Sequence, residues 1–250
     1  MLTREQNHRY ITMALNYTVS EARASDAGAI ASLLAQSWTS PFSQLQFRLI
    51  DPQALAAAMT PRIAQQIANT DMLFIVARKS DTEEVASVAQ WTVPTEASQM
   101  IIEGTPEEIE ERQKFEDEVY YNSLPDSSNK GLIMEFTIGL RNLRERVLQG
   151  RRHFLLENLA THPEHRGKGL AGRLIESILQ QAGEQNVLAY LDTASDNKAM
   201  SLYKKLGFEE MGRHTIEELR RFVGKEELER IGAENEHTHV AFVRYPSSRD

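Results

Sequence analysis

Apolar positions along this chain switch between strand-like and helix-like periods, and the switches mark out its elements. Tyr17-Thr18-Val19 reads as a first strand. Ser25-Asp26 then offers a helix start, after which Ile30, Leu33, Leu34 and Trp38 recur at helical spacing. Asp51-Pro52 and Thr60-Pro61 are two further cap-plus-proline starts, so 52–68 predicts one broken helix or two short ones. The apolar run 73–77, the polar turn 80–84 and the arm 85–93 predict a hairpin. Thr105-Pro106-Glu107-Glu108 has the form of a capping box. Beyond the polar stretch 122–130, a second helical stripe runs through Ile133, Phe136, Leu140, Leu143 and Val147.

The second half alternates more regularly. A strand at 155–161 precedes a helix at 172–182, and 187–191 is a buried strand. A helix over 195–206 is stopped by Gly207, and 208–211 starts another strand. Thr215-Ile216-Glu217-Glu218 is a second capping box and predicts a helix over 216–231, while 239–245 alternates and closes the sheet. Strands alternating with helices predict an α/β fold. Residues 1–14 read as a lead-in, and 15–250 as a single domain with helical insertions at 102–152 and 215–236.

The densest chemistry lies between the strand at 155–161 and the helix after it. His162-Pro163-Glu164-His165 is a polar turn, followed by Arg166-Gly167-Lys168-Gly169-Leu170-Ala171. Small residues at a helix amino terminus let an anion reach backbone N–H groups, and the helix dipole favours negative charge there. Arg166 and Lys168 add positive charge, so the segment reads as a pyrophosphate cradle.

Composition narrows the choices. A formal charge of −8 disfavours a nucleic-acid partner. The absence of cysteine removes thiolate nucleophiles, disulfides and Cys-ligated zinc. No apolar run approaches the ~20 residues of a membrane span, so no membrane partner is expected. The polar first residues lack a signal-peptide core, which makes a cytoplasmic protein the expectation. Residues 103–118 hold eight acidic and two basic side chains, the mark of a solvated cover helix or of a wall that attracts cations.

Arg166-x-x-Gly169-x-Ala171, after a strand and Pro163, resembles the acyl-CoA-binding signature of the GNAT superfamily of N-acetyltransferases. Asn197-Lys198-Ala199-Met200-Ser201-Leu202-Tyr203-Lys204-Lys205-Leu206-Gly207-Phe208 resembles that family's next block, at the usual distance. The resemblance implies a GNAT-like mixed, splayed sheet flanked by helices, with acetyl-CoA as co-substrate. It implies that the backbone of Gly167, Lys168, Gly169, Leu170 and Ala171 contacts the pyrophosphate. The pantetheine arm would pair with Leu159, Ala160 and Thr161 like an added strand, which requires the sheet to open between 155–161 and 187–191. Leu159 N–H is the candidate oxyanion donor.

Tyr203 matches the family tyrosine that protonates the leaving thiolate; the competing reading is a packing tyrosine. Asn197 either bonds the pantetheine arm or starts its helix. Glu157 precedes Leu159 by two strand residues, so regular alternation puts both on one face and makes Glu157 the candidate base. Asp192 is placed to bind a cationic amine instead. His162 with His165, and His237 with His239, read as solvated or packed, and no metal is expected. The implied activity is direct transfer of acetyl to a primary amine of a small molecule in a ternary complex, by a monomer or homodimer. Two rivals remain. Gly167-x-Gly169-x-x-Gly172 with Asp192 downstream also fits a dinucleotide fingerprint of an NAD(P)-dependent oxidoreductase. A non-catalytic acyl-CoA-binding module would keep the cradle alone.

Overall fold

The computed structural model describes residues 16–48, 51–94 and 104–246. The predicted lead-in at 1–14 and the start of the predicted insertion at 102 lie outside them. Seven strands form one sheet in the order β1-β2-β3-β4-β5-β7-β6, with β1 Tyr17–Glu21, β2 Met72–Lys79, β3 Val85–Thr92, β4 His153–Thr161, β5 Leu188–Ala194, β6 Glu209–Ile216 and β7 His237–Arg244. Among the described residues only β4 and β5 run parallel. The repeated parallel strand–helix–strand units of a dinucleotide fold are therefore missing among the described residues.

Helices cover both faces. On one face α6, Leu170–Gln185, buries Leu170, Leu174, Ile175 and Ile178 against Ala89, Trp91, Phe154, Leu191 and Phe242. That contact spans strands from both halves of the sheet. On the other face α1, Ala27–Ser37, and α3, Pro52–Ile67, pack Ile30, Leu34 and Ile63 on Phe74, Val76 and Val88. Next to them α5, Lys130–Leu148, sets Leu143 and Val147 on Leu155, Tyr190 and Val243. A bidentate pair ties α1 to the sheet: Arg78 donates to both carboxylate oxygens of Asp26, at 2.8 and 2.5 Å.

The region 52–68 is a single helix that runs through Pro61. Asp51 caps it by accepting from Ala54 N–H at 2.9 Å. A short helix α2, Pro41–Phe47, capped by Ser40, was not anticipated. The first capping box forms as read, and α4, Pro106–Ser123, follows it. That helix buries no side chain, and Arg141 of α5 holds it through Asp117 with two bonds of 2.8 Å.

The second capping box does not form. Thr215 lies inside β6, where its hydroxyl bonds that of Thr238 across to β7 at 2.8 Å, so the strand continues to Ile216. The predicted helix over 216–231 shrinks to a 3-10 turn at Leu219–Arg221 and to α8, Lys225–Ile231. The helix expected over 195–206 is likewise only α7, Met200–Lys205.

Candidate active site

β4 pairs with β3 along its length, from Thr92↔Leu155 to Ser87↔Thr161. Towards β5 it pairs at three positions only, His153↔Leu188, Phe154↔Ala189 and Leu155↔Tyr190. Beyond Tyr190 the ladder of β5 is with β7 alone, out to Ala194↔His239. The sheet therefore forks after Leu155 and Tyr190. The expected opening between 155–161 and 187–191 is present, and β5 continues beyond it.

The backbone of β4 faces this gap in alternate residues. His162 N–H donates to Ala86 C=O at 2.9 Å. In an antiparallel ladder that turns the groups of Ala160 towards β3 as well, and those of Leu159 and Thr161 to the open side. Arg166 reaches back to the Thr161 carbonyl, its Nε donating at 3.3 Å. The Leu159 N–H, the candidate oxyanion donor, thus points into the fork.

The expected common face for Glu157 and Leu159 does not hold. Trp91 pairs with Leu156 but Gln90 pairs with Asn158, so Glu157 is the extra residue of a β-bulge. Leu159 packs on the core beneath α6, whereas Glu157 lies on the opposite face, where Thr92 Oγ1 donates to its Oε1 at 2.9 Å. The Glu157 side chain touches solvent, yet protein atoms crowd the space around it. That is the setting of a cleft floor. The crowding pushes its carboxyl above the ordinary range, with Arg144, Thr92 and Arg62 opposing and Asp192 adding to the rise. The solvent contact moderates the effect.

After β4 a 3-10 turn, Pro163–His165, leads to the glycines. Gly167 and Gly169 have φ of +74° and +75°, left-handed values that other residues adopt at a cost. A Cβ at either would meet nothing within 4 Å, so the turn is open on its outer side. Gly169 caps α6 without a side chain, which leaves the first N–H groups of that 16-residue helix to water or a ligand. Arg166 is exposed beside them. The Lys168 ammonium turns back to β1, donating to Tyr17 OH at 3.0 Å, and Tyr17 OH bonds His165 Nδ1 at 2.8 Å. Lys168 and Ala171 thus border the cradle through their backbone.

Gly172 brings α7 close to α6, since a Cβ there would lie 3.5 Å from Leu202. Tyr203 of α7 is 5% exposed, with its ring among Phe208 and Phe242. Burial pushes its hydroxyl up to about 12, and no described residue bonds it. Asn197 is occupied locally: its Oδ1 accepts from Ala199 N–H at 2.9 Å and its Nδ2 donates to Thr193 Oγ1 at 2.7 Å.

Several neighbours had no signal in the chain's periodicity. Thr92 ends an ordinary hairpin arm, Arg144 flanks an apolar helix stripe, and Tyr190 looks like core. Arg144 lies 6.0 Å over the Tyr190 ring, and the Tyr190 hydroxyl is buried without a hydrogen-bond partner among the described residues. A separate surface cavity of about 600 Å³, lined by Glu176, Gln180, Lys205 and Arg244 among others, touches neither the glycine turn nor the fork. We assign it no part in the chemistry.

Residues 133–210 match the family described as Acetyltransferase (GNAT) domain. No curated protein sequence matches the chain. Among solved structures, arylalkylamine N-acetyltransferase 2 from Aedes aegypti superposes with a TM-score of 0.62 at 16% identity, over 93% of this chain and 100% of that one. The polyamine N-acetyltransferase of Drosophila melanogaster, which forms N-acetylagmatine, superposes with a TM-score of 0.59 at 15% identity, over 92% and 100%. At such identities the likeness is one of fold. The matched segment carries most of α5 and all of β4, the glycine turn, α6, β5 and α7, the elements that build the fork; over these residues the chain matches a GNAT acetyltransferase domain, and over nearly its whole length it shares the fold of the solved N-acetyltransferases.

Proposed function

We propose that this protein moves an acetyl group from acetyl-CoA to a primary amine of a small molecule, by direct attack in a ternary complex. The observation that carries the reading is the end of β4–β5 pairing at Leu155↔Tyr190, beside an uncapped glycine-led helix. In this reading the N–H groups of Gly167, Lys168, Gly169, Leu170 and Ala171 bind the diphosphate, with Arg166 beside them. The open edge of β4 at Leu159 and Thr161 receives the pantetheine arm as a strand would, whereas the backbone of Ala160, expected to join them, is turned to β3. Asn197 would bond the arm only by exchanging one of the protein partners that both of its polar groups already have. The amines named for the similar structures, polyamine and arylalkylamine, support a small cationic acceptor.

Three groups then divide the chemistry. Glu157 takes the proton of the incoming ammonium, and a raised carboxyl pKa makes it a better acceptor near neutrality. Leu159 N–H donates to the oxygen that gains charge as the carbonyl becomes tetrahedral. Tyr203 stays protonated far above neutral pH. A hydroxyl at about 12 gives up its proton to a thiolate of ordinary pKa near 8.5 only uphill, by roughly 5 kcal/mol. Tyr203 therefore acts as a hydrogen-bond donor that steadies the departing sulfur.

The test is a thermal-shift titration with acetyl-CoA, followed by an amine screen that reads released thiol. Acetyl-CoA should raise the melting temperature, and one class of primary amines should release CoA. Stabilisation without thiol release from any amine would overturn the catalytic reading and leave a binding module. Stabilisation by NAD and not by acetyl-CoA would favour the dinucleotide rival.

A further inference from the structure

Leu155 and Tyr190 are the last pair joining β4 to β5, and both pack on α5. Two residues further along each strand stand Glu157 and Asp192. Strand alternation keeps Asp192 on the face of Tyr190. Glu157 shares that face, as its bond to Thr92 and its electrostatic response to Arg144 and Asp192 require. The two carboxylates thus flank the mouth of the fork on its α5 side.

Neither has a lysine or arginine partner within 4 Å among the described residues. Arg144 reaches over Tyr190 from α5 without an ion pair to either, and its Nε is buried with no acceptor among the described residues. The partner of Asp192 is His239 on β7, with Nδ1 3.3 Å from Oδ1 and side chains 15% and 13% exposed. Phe136 of α5 fixes that imidazole edge-on, with ring centroids 4.8 Å apart. Tyr190 itself, the last paired residue of β5, is fully buried, and its hydroxyl has no hydrogen-bond partner among the described residues. Like charges brought together and partly desolvated raise the free energy of the empty site, and a cation placed between them removes the penalty.

We propose that Asp192, oriented by His239, is the second carboxylate of the acceptor site: with Glu157 it brackets the ammonium of the incoming amine and selects acceptors that arrive protonated. The inference rests on the acetyl-transfer reading above. Asp192 holds the ammonium, while Glu157 takes its proton and becomes the carboxylic acid, leaving the neutral amine as nucleophile. His239 is a positioning residue. The groups facing Glu157 are Thr92 from β3, Arg144 from α5, Arg62 from α3 and Asp192 from β5. Of these, Asp192 alone opposes ionisation of Glu157.

The test compares wild type, Asp192→Asn and His239→Gln at saturating acetyl-CoA. It uses primary amines of graded basicity across a pH series. Asp192→Asn should raise KM for strongly basic amines by about tenfold to a hundredfold, the worth of a hydrogen bond to a charged group. KM for acetyl-CoA should not move. The acid limb of kcat/KM should shift to lower pH, because burial still raises the Glu157 carboxyl but the further rise that the Asp192 charge adds has gone. His239→Gln should move the same two readouts in the same direction by less, and it serves alone if Asp192→Asn does not fold. An unchanged amine KM and an unmoved limb in an active variant would overturn the inference while leaving acetyl transfer intact. A wild type that transfers to no amine removes the underlying reading instead.

Discussion

Thr92 Oγ1 donates to Glu157 Oε1 at 2.9 Å across a β-bulge. The bond favours the ionised carboxylate. Replacing Thr92 by Val keeps the side-chain shape and removes the donor, so the Glu157 pKa should rise further. The acid limb of kcat/KM should then move to higher pH, opposite to the shift expected for Asp192→Asn. A pH series on the Thr92→Val enzyme checks the sign, and a limb that stays in place would remove Glu157 as the titrating base.

Gly169 has φ of +75° and open space where a Cβ would stand. Gly169→Ala therefore costs only the left-handed backbone strain, about 1–2 kcal/mol, and should weaken CoA binding modestly. Gly169→Glu adds a negative charge where the diphosphate is expected and should abolish binding. Titration calorimetry with CoA separates the two. Equal affinities for Gly169→Glu and wild type would move the cradle elsewhere.

Tyr203→Phe deletes a hydroxyl that no described residue bonds. The melting temperature should stay the same, KM for acetyl-CoA should stay the same, and turnover should fall about tenfold, the worth of one hydrogen bond to a charged sulfur. Because burial holds this hydroxyl up to about 12, any alkaline limb seen below pH 11 belongs to another group. Wild-type turnover in the variant would leave Tyr203 as packing.

Gly139 of α5 faces the His214 ring, and a Cβ there would fall 2.0 Å from Nε2. Gly139→Ala should destabilise the protein by about 1–3 kcal/mol through overpacking, seen as a lowered melting temperature. His214→Ala in the same chain should recover part of the loss. Burial keeps His214 below its usual pKa, so the penalty should be unchanged across neutral pH.

What the sequence revealed follows from which residues have few conformational options. Gly167 and Gly169 are needed at left-handed positions, and the strand before them and the helix after them follow. The fork was anticipated through the family likeness of that segment. The bulge at Glu157 was hidden, because an extra residue in a ladder depends on the partner strand and leaves no mark on its own. Thr215 misled for a related reason: a threonine followed by glutamate suits a helix cap as well as a cross-strand hydroxyl pair with Thr238. Asp192 was visible as an acid at a strand end, but its link to His239 runs between residues 47 apart and needed coordinates. Helix α2 escaped notice because seven residues are too few for periodicity to register.

The three residue pairs from His153↔Leu188 to Leu155↔Tyr190 are the whole seam between two half-sheets, each complete in its own ladder. Helix α6 grips that seam from one side and α5 from the other, both near its closed end. Opening or narrowing the far end breaks no main-chain bond in either half. The distance between the tips of β4 and β5 is thus the softest dimension of an otherwise stiff slab, and a thin flexible thioester arm sliding in as a wedge would set it.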